Sequence, residues 1–248
     1  MTKKVICFFA FLIVIIVMLL FVYQNSKNIK ENAEAPSNNE FGINQIYYYS
    51  SVNANSNTVH YQNPEWNVNV YQYTDIAIYL NRLNEIAEKN YISSLSISNI
   101  SVNFKNARLY YLNPRMFGNG NVDLGVRIEN DLDYTIINSE NKENEQNYTI
   151  PIFFQDCSNP ITLRIINDLA NNYTVSKDDT ITYNGSLIQK LGVSVSDLTT
   201  DLSFDLQVTT KDGNARTKRV DFKFSFENEK RSILDGDFEE KITKNVLF

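Results

Sequence analysis

Aromatic side chains cluster between residues 46 and 73, and they are the residues of this chain best suited to contact a ligand. The cluster comprises Tyr47, Tyr48, Tyr49, Tyr61, Trp66, Tyr71 and Tyr73. Exposed rings of this kind stack on sugar faces or anchor a protein partner. Aromatic residues also fit strands well, so we favour packing beneath a β-sheet or at its edge. The candidate contact residues are Tyr47, Tyr48, Tyr49, Tyr61 and Trp66.

No motif in the sequence indicates catalysis. His60 is the only histidine, and Cys157 has no local partner motif, so a nucleophile held by a base is not predicted. Neither GxGxxG nor GxxxxGK[ST] occurs among the 8 glycines, so no nucleotide or other cofactor is expected. We therefore predict a protein that is not an enzyme. A concave pocket with two convergent carboxylates would revive the alternative of an unfamiliar enzyme.

Metal ligands with a recognised spacing are also lacking. His60 has no cysteine or carboxylate cluster beside it, and the pairs Asp131 with Asp133 and Asp178 with Asp179 lack the spacing of a calcium loop. No metal site is predicted. Cys157 is the only cysteine beyond the first 23 residues, so we expect a small buried side chain without a disulfide in its own domain.

Hydrophobic residues alternate with polar residues through most of the chain after residue 91. Val122 to Ile128 alternates between Gly120 and Asn130, and the segment 148–154 repeats the pattern with Pro151 as a sign of an edge strand. Short strands spaced in this way predict an all-β, antiparallel β-sandwich of immunoglobulin-like architecture. The cysteine and tryptophan spacing of true immunoglobulin domains is absent, so nothing about activity follows from the architecture.

Several local features accompany this pattern. We expect a strand at 71–80 with a short helical turn near 82–88, and a bulge near Ser98 and Asn99 where the alternation changes phase. Residues 163–166 and 173–176 are short strand candidates. Residues 186–191 are expected to form a helical turn that Gly192 ends.

The last hairpin is the clearest tertiary signal. Leu202 to Val208 and Val220 to Phe226 both alternate, with a polar turn at 211–214 between them. Keeping every apolar residue on one face predicts that Val208 pairs with Val220 across a loop of residues 212–216. This register places Asp205 opposite Lys223.

An apolar run from Val5 to Tyr23 predicts a membrane anchor. Its 19 residues contain no charge and would form a helix roughly 28 Å long, which matches a hydrocarbon core of about 30 Å. The alternative is a cleaved secretory signal, but the small-x-small site at residues 33–35 lies far beyond the run. The predicted organisation is a cytoplasmic tip at 1–4, an anchor at 5–23, a flexible linker at 24–45 and a β-domain at 46–248.

Charge and flanking residues define the class of partner. Lys3 and Lys4 precede the anchor, which predicts a single-pass protein of the cell membrane with its C-terminal domain outside. The net charge of -6 makes nucleic acid an unsuitable partner. The sequence therefore predicts a bilayer-anchored surface module that contacts an envelope protein or a glycan. Alternatives are a carbohydrate-binding module acting through 47–73, and a pilin-like subunit whose prepilin glycine and glutamate are missing.

The anchor prediction is tested by N-terminal sequencing and by protease treatment of intact cells. We expect the mature chain to retain Val5 to Tyr23, because no cleavage site closes the run, and a C-terminal tag to be accessible to protease. A chain that begins near Pro36, or a protected tag, would contradict the prediction.

Overall fold

Antiparallel strands make up most of the chain that the structure describes. The computed structural model covers residues 39–56, 65–84, 90, 92–120, 125–128, 132–135, 160–176 and 185–248. These residues belong to the unit Glu40–Phe248, apart from Asn39. The strands form two sheets, one of six strands and one of four.

The six-stranded sheet contains the three longest strands among the described residues. From one edge to the other its strands are β10 (Phe238–Leu247), β1 (Phe41–Ser56), β2 (Glu65–Arg82), β7 (Ile161–Ser176), β4 (Arg108–Leu112) and β5 (Gly125–Arg127). All neighbouring strands in it run antiparallel.

The four-stranded sheet consists of β6 (Leu132–Thr135), β3 (Ile92–Val102), β8 (Thr200–Thr210) and β9 (Ala215–Phe224), in that order. Two short helices, α1 (Gly185–Leu191) and α2 (Val195–Leu198), lie between β7 and β8 in the sequence. Ser194 begins α2 with a capping box, in which its side chain and that of Asp197 each accept from the other's backbone N–H. Single 3-10 turns occupy Pro114–Met116 and Ile233–Asp235.

Both sheets contribute side chains to one apolar core. Ile46 and Ile76 from the larger sheet belong to the same buried cluster as Leu95 and Phe204 from the smaller one. Burial of this shared face supplies the main driving force for folding. The predicted antiparallel β-fold is confirmed, and the shared core is consistent with a β-sandwich.

A small polar network lies within this core. The Gln72 side-chain amide donates to Ser50 Oγ at 3.2 Å and to the Leu198 carbonyl at 3.2 Å. Ser50 in turn donates to the Tyr73 carbonyl at 3.0 Å and lies 3.1 Å from Thr74 Oγ1. Because each group has partners, the network ties the end of α2 to the inner face of the larger sheet without leaving an unsatisfied buried group.

The structure confirms two of the local predictions and changes the bounds of the predicted strands. A register shift lies between Ser98 and Ser101, and Asn99 has φ 50, which confirms the bulge. The predicted helical turn is confirmed as α1, and Gly192 follows it with φ 66. The strand predicted at 71–80 is longer, Glu65–Arg82, and the two short strands predicted at 163–166 and 173–176 are one strand, Ile161–Ser176.

The faces of the last hairpin are as predicted, but its register is different. Phe204, Leu206, Phe222 and Phe224 are all buried. Val208 pairs with Arg216 rather than with Val220, and Asp205 pairs with Arg219 rather than with Lys223.

The shorter loop explains the difference in register. The Thr210 N–H donates to the Asn214 carbonyl at 3.0 Å, and the Gly213 N–H donates to the Thr210 carbonyl at 2.9 Å. Gly213 has φ 84, the left-handed conformation that a three-residue hairpin loop requires. With this loop the apolar residues of both strands still face the core. The observed register therefore agrees with the alternation in the sequence as well as the predicted register with its five-residue loop does.

Several predictions concern residues outside the described ranges. They are the anchor at 5–23, the linker up to residue 38, residues 85–88 of the turn predicted near 82–88, the strand 148–154, and the residues His60 and Cys157. At the other end of the linker the prediction is wrong, because β1 begins at Phe41, whose side chain is buried. None of the helices within the described ranges is long and apolar enough to cross a membrane.

Replacing neighbouring residues of β9 tests the orientation of the hairpin. Phe222→Ala should lower the free energy of unfolding by about 3–5 kcal/mol, because the ring is 3% exposed and its removal leaves a cavity. Lys223→Ala should cost under about 1 kcal/mol, because that side chain is exposed. Denaturant titration of both variants measures the contrast, and equal costs would contradict this orientation.

Candidate functional site

The predicted contact residues on β1 divide between the two faces of the six-stranded sheet. Tyr48 points into the core, whereas Tyr47 and Tyr49 lie on the outer face and are half-buried. This division follows from the alternation of side chains along a strand. Tyr61 and the side chain of Trp66 lie outside the part of the chain that the structure describes.

Tyr48 is a core residue and is corrected as a contact candidate. Its side chain is 2% exposed, and its ring packs against Phe224 at a centroid distance of 4.9 Å. The oxygen of its hydroxyl lies 2.7 Å from the Ser225 carbonyl oxygen and 2.9 Å from Glu240 Oε2, and both of these atoms are acceptors for its one proton. Burial and the neighbouring Glu240 carboxylate raise the pKa of Tyr48 above its ordinary value. Tyr48 therefore joins β1 to the strand β10 and to the residue after β9.

A buried ion pair occupies the centre of the outer face. Asp75 on β2 and Arg164 on β7 are cross-strand neighbours. Arg164 Nε donates to Asp75 Oδ1 at 2.6 Å, and Arg164 Nη2 donates to Asp75 Oδ2 at 2.7 Å. The side chains are only 0% and 1% exposed, for Asp75 and Arg164 respectively. This two-point geometry is the strongest arrangement available to a guanidinium and a carboxylate.

The ion pair also binds the backbone of the segment that covers it. The Gly118 N–H donates to Asp75 Oδ2 at 2.8 Å, and Arg164 Nη2 donates to the Asn119 carbonyl. The guanidinium carbon lies 5.0 Å from the centre of the Tyr73 ring, in a cation-π contact. Burial raises the pKa of Asp75, while the hydrogen bonds and charge of Arg164 and the Gly118 N–H act in the opposite direction. The pair thus fastens residues 118 and 119 to the sheet.

The covering segment, residues 113–120, has a defined conformation of its own. Asn113 caps its 3-10 turn by accepting from the Arg115 N–H at 3.0 Å. Gly118 has φ 75, which a side chain would disfavour. A Cβ on Gly120 would lie 2.9 Å from the Tyr73 hydroxyl, so a larger residue there would displace the Tyr73 side chain or the segment.

Tyr49 supports the covering segment from below. Its ring lies 6.4 Å from that of Phe117 in an edge-to-face arrangement and 5.9 Å from that of Tyr73. Its hydroxyl donates to Asp237. Burial, followed by the bond to Asp237, raises the pKa of Tyr49. Tyr49 is therefore engaged within the protein and is better placed to hold Phe117 than to meet a ligand.

Beside the covering segment lies a groove of about 440 Å³ on the outer face, which we call the outer groove. Its lining residues come from three strands and two loops: Gln45, Tyr47, Ala77, Tyr79, Pro114, Phe117, Pro160 and Thr162. The rings of Tyr47 and Tyr79 meet edge to face, with centroids 5.7 Å apart. Lys241 Nζ lies 5.3 Å from the centre of the Tyr47 ring, at the rim.

Ala77 forms the lowest part of the outer groove. It pairs with Tyr47 on one side and with Thr162 on the other. Its small side chain leaves space between two larger cross-strand neighbours. The groove therefore arises from the order of residue sizes across the sheet and from the wall that Phe117 provides.

A second cavity, of about 470 Å³, lies against the four-stranded sheet and is lined mainly by polar side chains. Asp201 there pairs with Lys223 across β8 and β9. Lys244 Nζ lies 4.9 Å from the centre of the Phe222 ring. Opposite charges offset one another in this cavity, and aromatic faces contribute little to it. The outer groove is the better candidate for binding.

Among the described residues, no group of three or more His, Cys, Asp or Glu side chains is arranged to hold a metal ion. No family model, curated protein or solved structure matches the chain. The geometry of its own residues is therefore the basis for assigning a function.

Sequence reasoning identified Tyr47 in the outer groove but missed Tyr79, Phe117 and the ion pair. A signal for the ion pair exists, because Asp75 and Arg164 each interrupt a strand that is otherwise rich in apolar residues. A charge at such a position needs a buried partner. The sequence alone does not show that the two strands are neighbours.

Removing one partner of the ion pair tests its role in stability. Asp75→Ala should lower the free energy of unfolding by about 3–5 kcal/mol, because it leaves the Arg164 guanidinium buried without its counter-ion. The matched control is Asp168→Ala, which breaks the half-exposed pair with Arg108 and should cost under about 1 kcal/mol. Denaturant titration monitored by circular dichroism gives both values. Similar losses in the two variants would contradict the assignment.

Proposed function

We propose that this chain is a membrane-anchored, extracytoplasmic module of the cell envelope that acts by contact and not by catalysis. The observation that carries the proposal is the outer groove, in which the rings of Tyr47, Tyr79 and Phe117 line one concave surface. Concave sites with aromatic walls and a few polar groups are typical of ligand binding. The outer groove is the contact surface in this proposal.

Rigidity of the outer groove supports a binding role. Its floor is formed by strands that are paired on both sides, β1, β2 and β7. The wall containing Phe117 is attached through Gly118 and Asn119 to the buried ion pair. Binding to a surface that is already ordered loses little conformational entropy.

Localisation in this proposal rests on the apolar run Val5 to Tyr23. Nineteen uncharged residues are long enough to span a bilayer. Two lysines precede the run, whereas Lys27 and Lys30 after it are offset by Glu31 and Glu34, and this difference favours a cytoplasmic N-terminus. The β-domain would then lie outside the cell, where the outer groove meets envelope material.

Strand order supports the finer description of the domain as immunoglobulin-like. The neighbours β1-β2-β7-β4 occupy the places of strands A, B, E and D of that architecture, and β3-β8-β9 occupy those of C, F and G, with β6 as an additional edge strand beside β3. β10 adds an edge strand beside β1. In this proposal the architecture provides a rigid support, and the binding specificity comes from the outer groove.

Photo-crosslinking in intact cells tests whether the outer groove is a contact surface. Phe117 is replaced by p-benzoyl-phenylalanine in the full-length chain, which keeps an aromatic ring in the wall of the groove. The control position is Gln207, an exposed residue on the four-stranded sheet. We expect irradiation to give a crosslinked product of higher mass from position 117 and not from position 207.

Equal crosslinking from both positions, or none from position 117, would contradict the proposed contact surface. The folded state of both labelled chains is checked by their thermal unfolding midpoints. Protease access to a C-terminal tag on the same cells shows whether the domain lies outside.

A further inference from the structure

We infer that the outer groove binds a neutral glycan of a few sugar rings, an inference that rests on the contact function proposed above. The first reason is size. The volume of about 440 Å³ falls within the range of about 300–1,000 Å³ that is typical of sites for small ligands. A short oligosaccharide fits such a groove, whereas a protein partner would cover a much larger surface.

Chemical character of the lining is the second reason. A sugar ring presents a face of C–H groups and an edge of hydroxyl groups. The groove offers both complements, since Tyr79 and Phe117 present ring surfaces while the side-chain amide of Gln45 offers N–H donors and a carbonyl acceptor. A purely apolar ligand would leave these polar groups without partners at a cost in free energy.

Charge is the third reason. None of the described residues that line the outer groove is charged. Lys241 lies at the rim, where its ammonium group is in contact with the Tyr47 ring. An ionic ligand would lose its hydration on entering the groove without gaining a counter-ion on the floor. A neutral ligand avoids this loss.

The surface formed by the described residues is poor in the large apolar side chains on which protein interfaces depend. Among the described residues, Leu83 is the only large aliphatic or aromatic side chain classed as exposed, at 42%. Protein interfaces have a buried centre built from large apolar anchors. The rings of Tyr47, Tyr79 and Phe117 are instead half-buried in a concave site, which suits the narrow profile of a glycan chain.

Calorimetric titration of the full-length chain tests the inference. The chain is purified in a polyoxyethylene detergent, whose head group contains no sugar. The probes are the neutral tetrasaccharides cellotetraose, chitotetraose, mannotetraose and xylotetraose, with tetragalacturonate as an anionic comparison. We expect at least one neutral probe to bind, and the anionic probe to bind more weakly than it.

Two variants place binding in the outer groove. Tyr79→Ala removes a ring and should weaken binding about tenfold. Ala77→Leu fills the floor without removing any ring, and it should weaken binding by a similar factor. Tyr173→Ala is the control, because that half-buried tyrosine lies outside the groove, and it should leave the affinity within about twofold. Thermal unfolding midpoints identify any variant that does not fold. If one of the two groove variants does not fold, the affinity of the other one tests the inference.

Failure of all neutral probes, stronger binding of tetragalacturonate, or unchanged affinity in the folded variants would overturn the inference. The crosslinked product from position 117 shows whether only the glycan inference fails or the proposed contact function fails as well. If protease removes the added mass from that product, the outer groove is a contact surface for a protein and the glycan inference is wrong. If periodate removes the added mass, the proposed contact function and the glycan inference both stand.

Discussion

The buried pair of Asp75 and Arg164 is the interaction on which the outer face of the larger sheet depends. Two charges that are almost fully enclosed need each other and the backbone groups around them. Those groups belong to Gly118 and Asn119, so the pair fixes a segment that has no strand of its own. The wall of the outer groove is a direct result, because Phe117 belongs to this segment.

The six-stranded sheet is therefore covered on both sides by different kinds of interaction. Its inner face is stabilised by apolar burial that it shares with the four-stranded sheet. Its outer face carries a smaller cluster of Tyr71, Tyr73 and Ile166 around the ion pair. Alternation along β2 places Tyr71, Tyr73 and Asp75 together on this outer face. The outer groove begins at Ala77, next to this cluster on the same face of β2.

Alternation in the sequence correctly predicted the antiparallel fold, the inner faces of β8 and β9, and the bulge at Asn99. It did not predict the register of the last hairpin, because a period of two constrains pairing only to steps of two residues. The observed pairing places Arg216 beside Val208 and Lys218 beside Leu206. Both are tolerated, since Arg216 reaches Glu40 at 3.3 Å and Lys218 is exposed. The ion pair was beyond sequence reasoning because its partners are 89 residues apart.

The position of the groove on β1 has a mechanical consequence. The chain enters the domain at Glu40, whose N–H donates to the Phe248 carbonyl at 2.8 Å. Gln45 and Tyr47 lie only a few residues further along the same strand. A pull on the chain at Glu40, resisted by a ligand held in the groove, would load one end of β1 and its two neighbours in shear. Hydrogen bonds on both sides of the strand would share that force, and the four-stranded sheet would carry almost none of it.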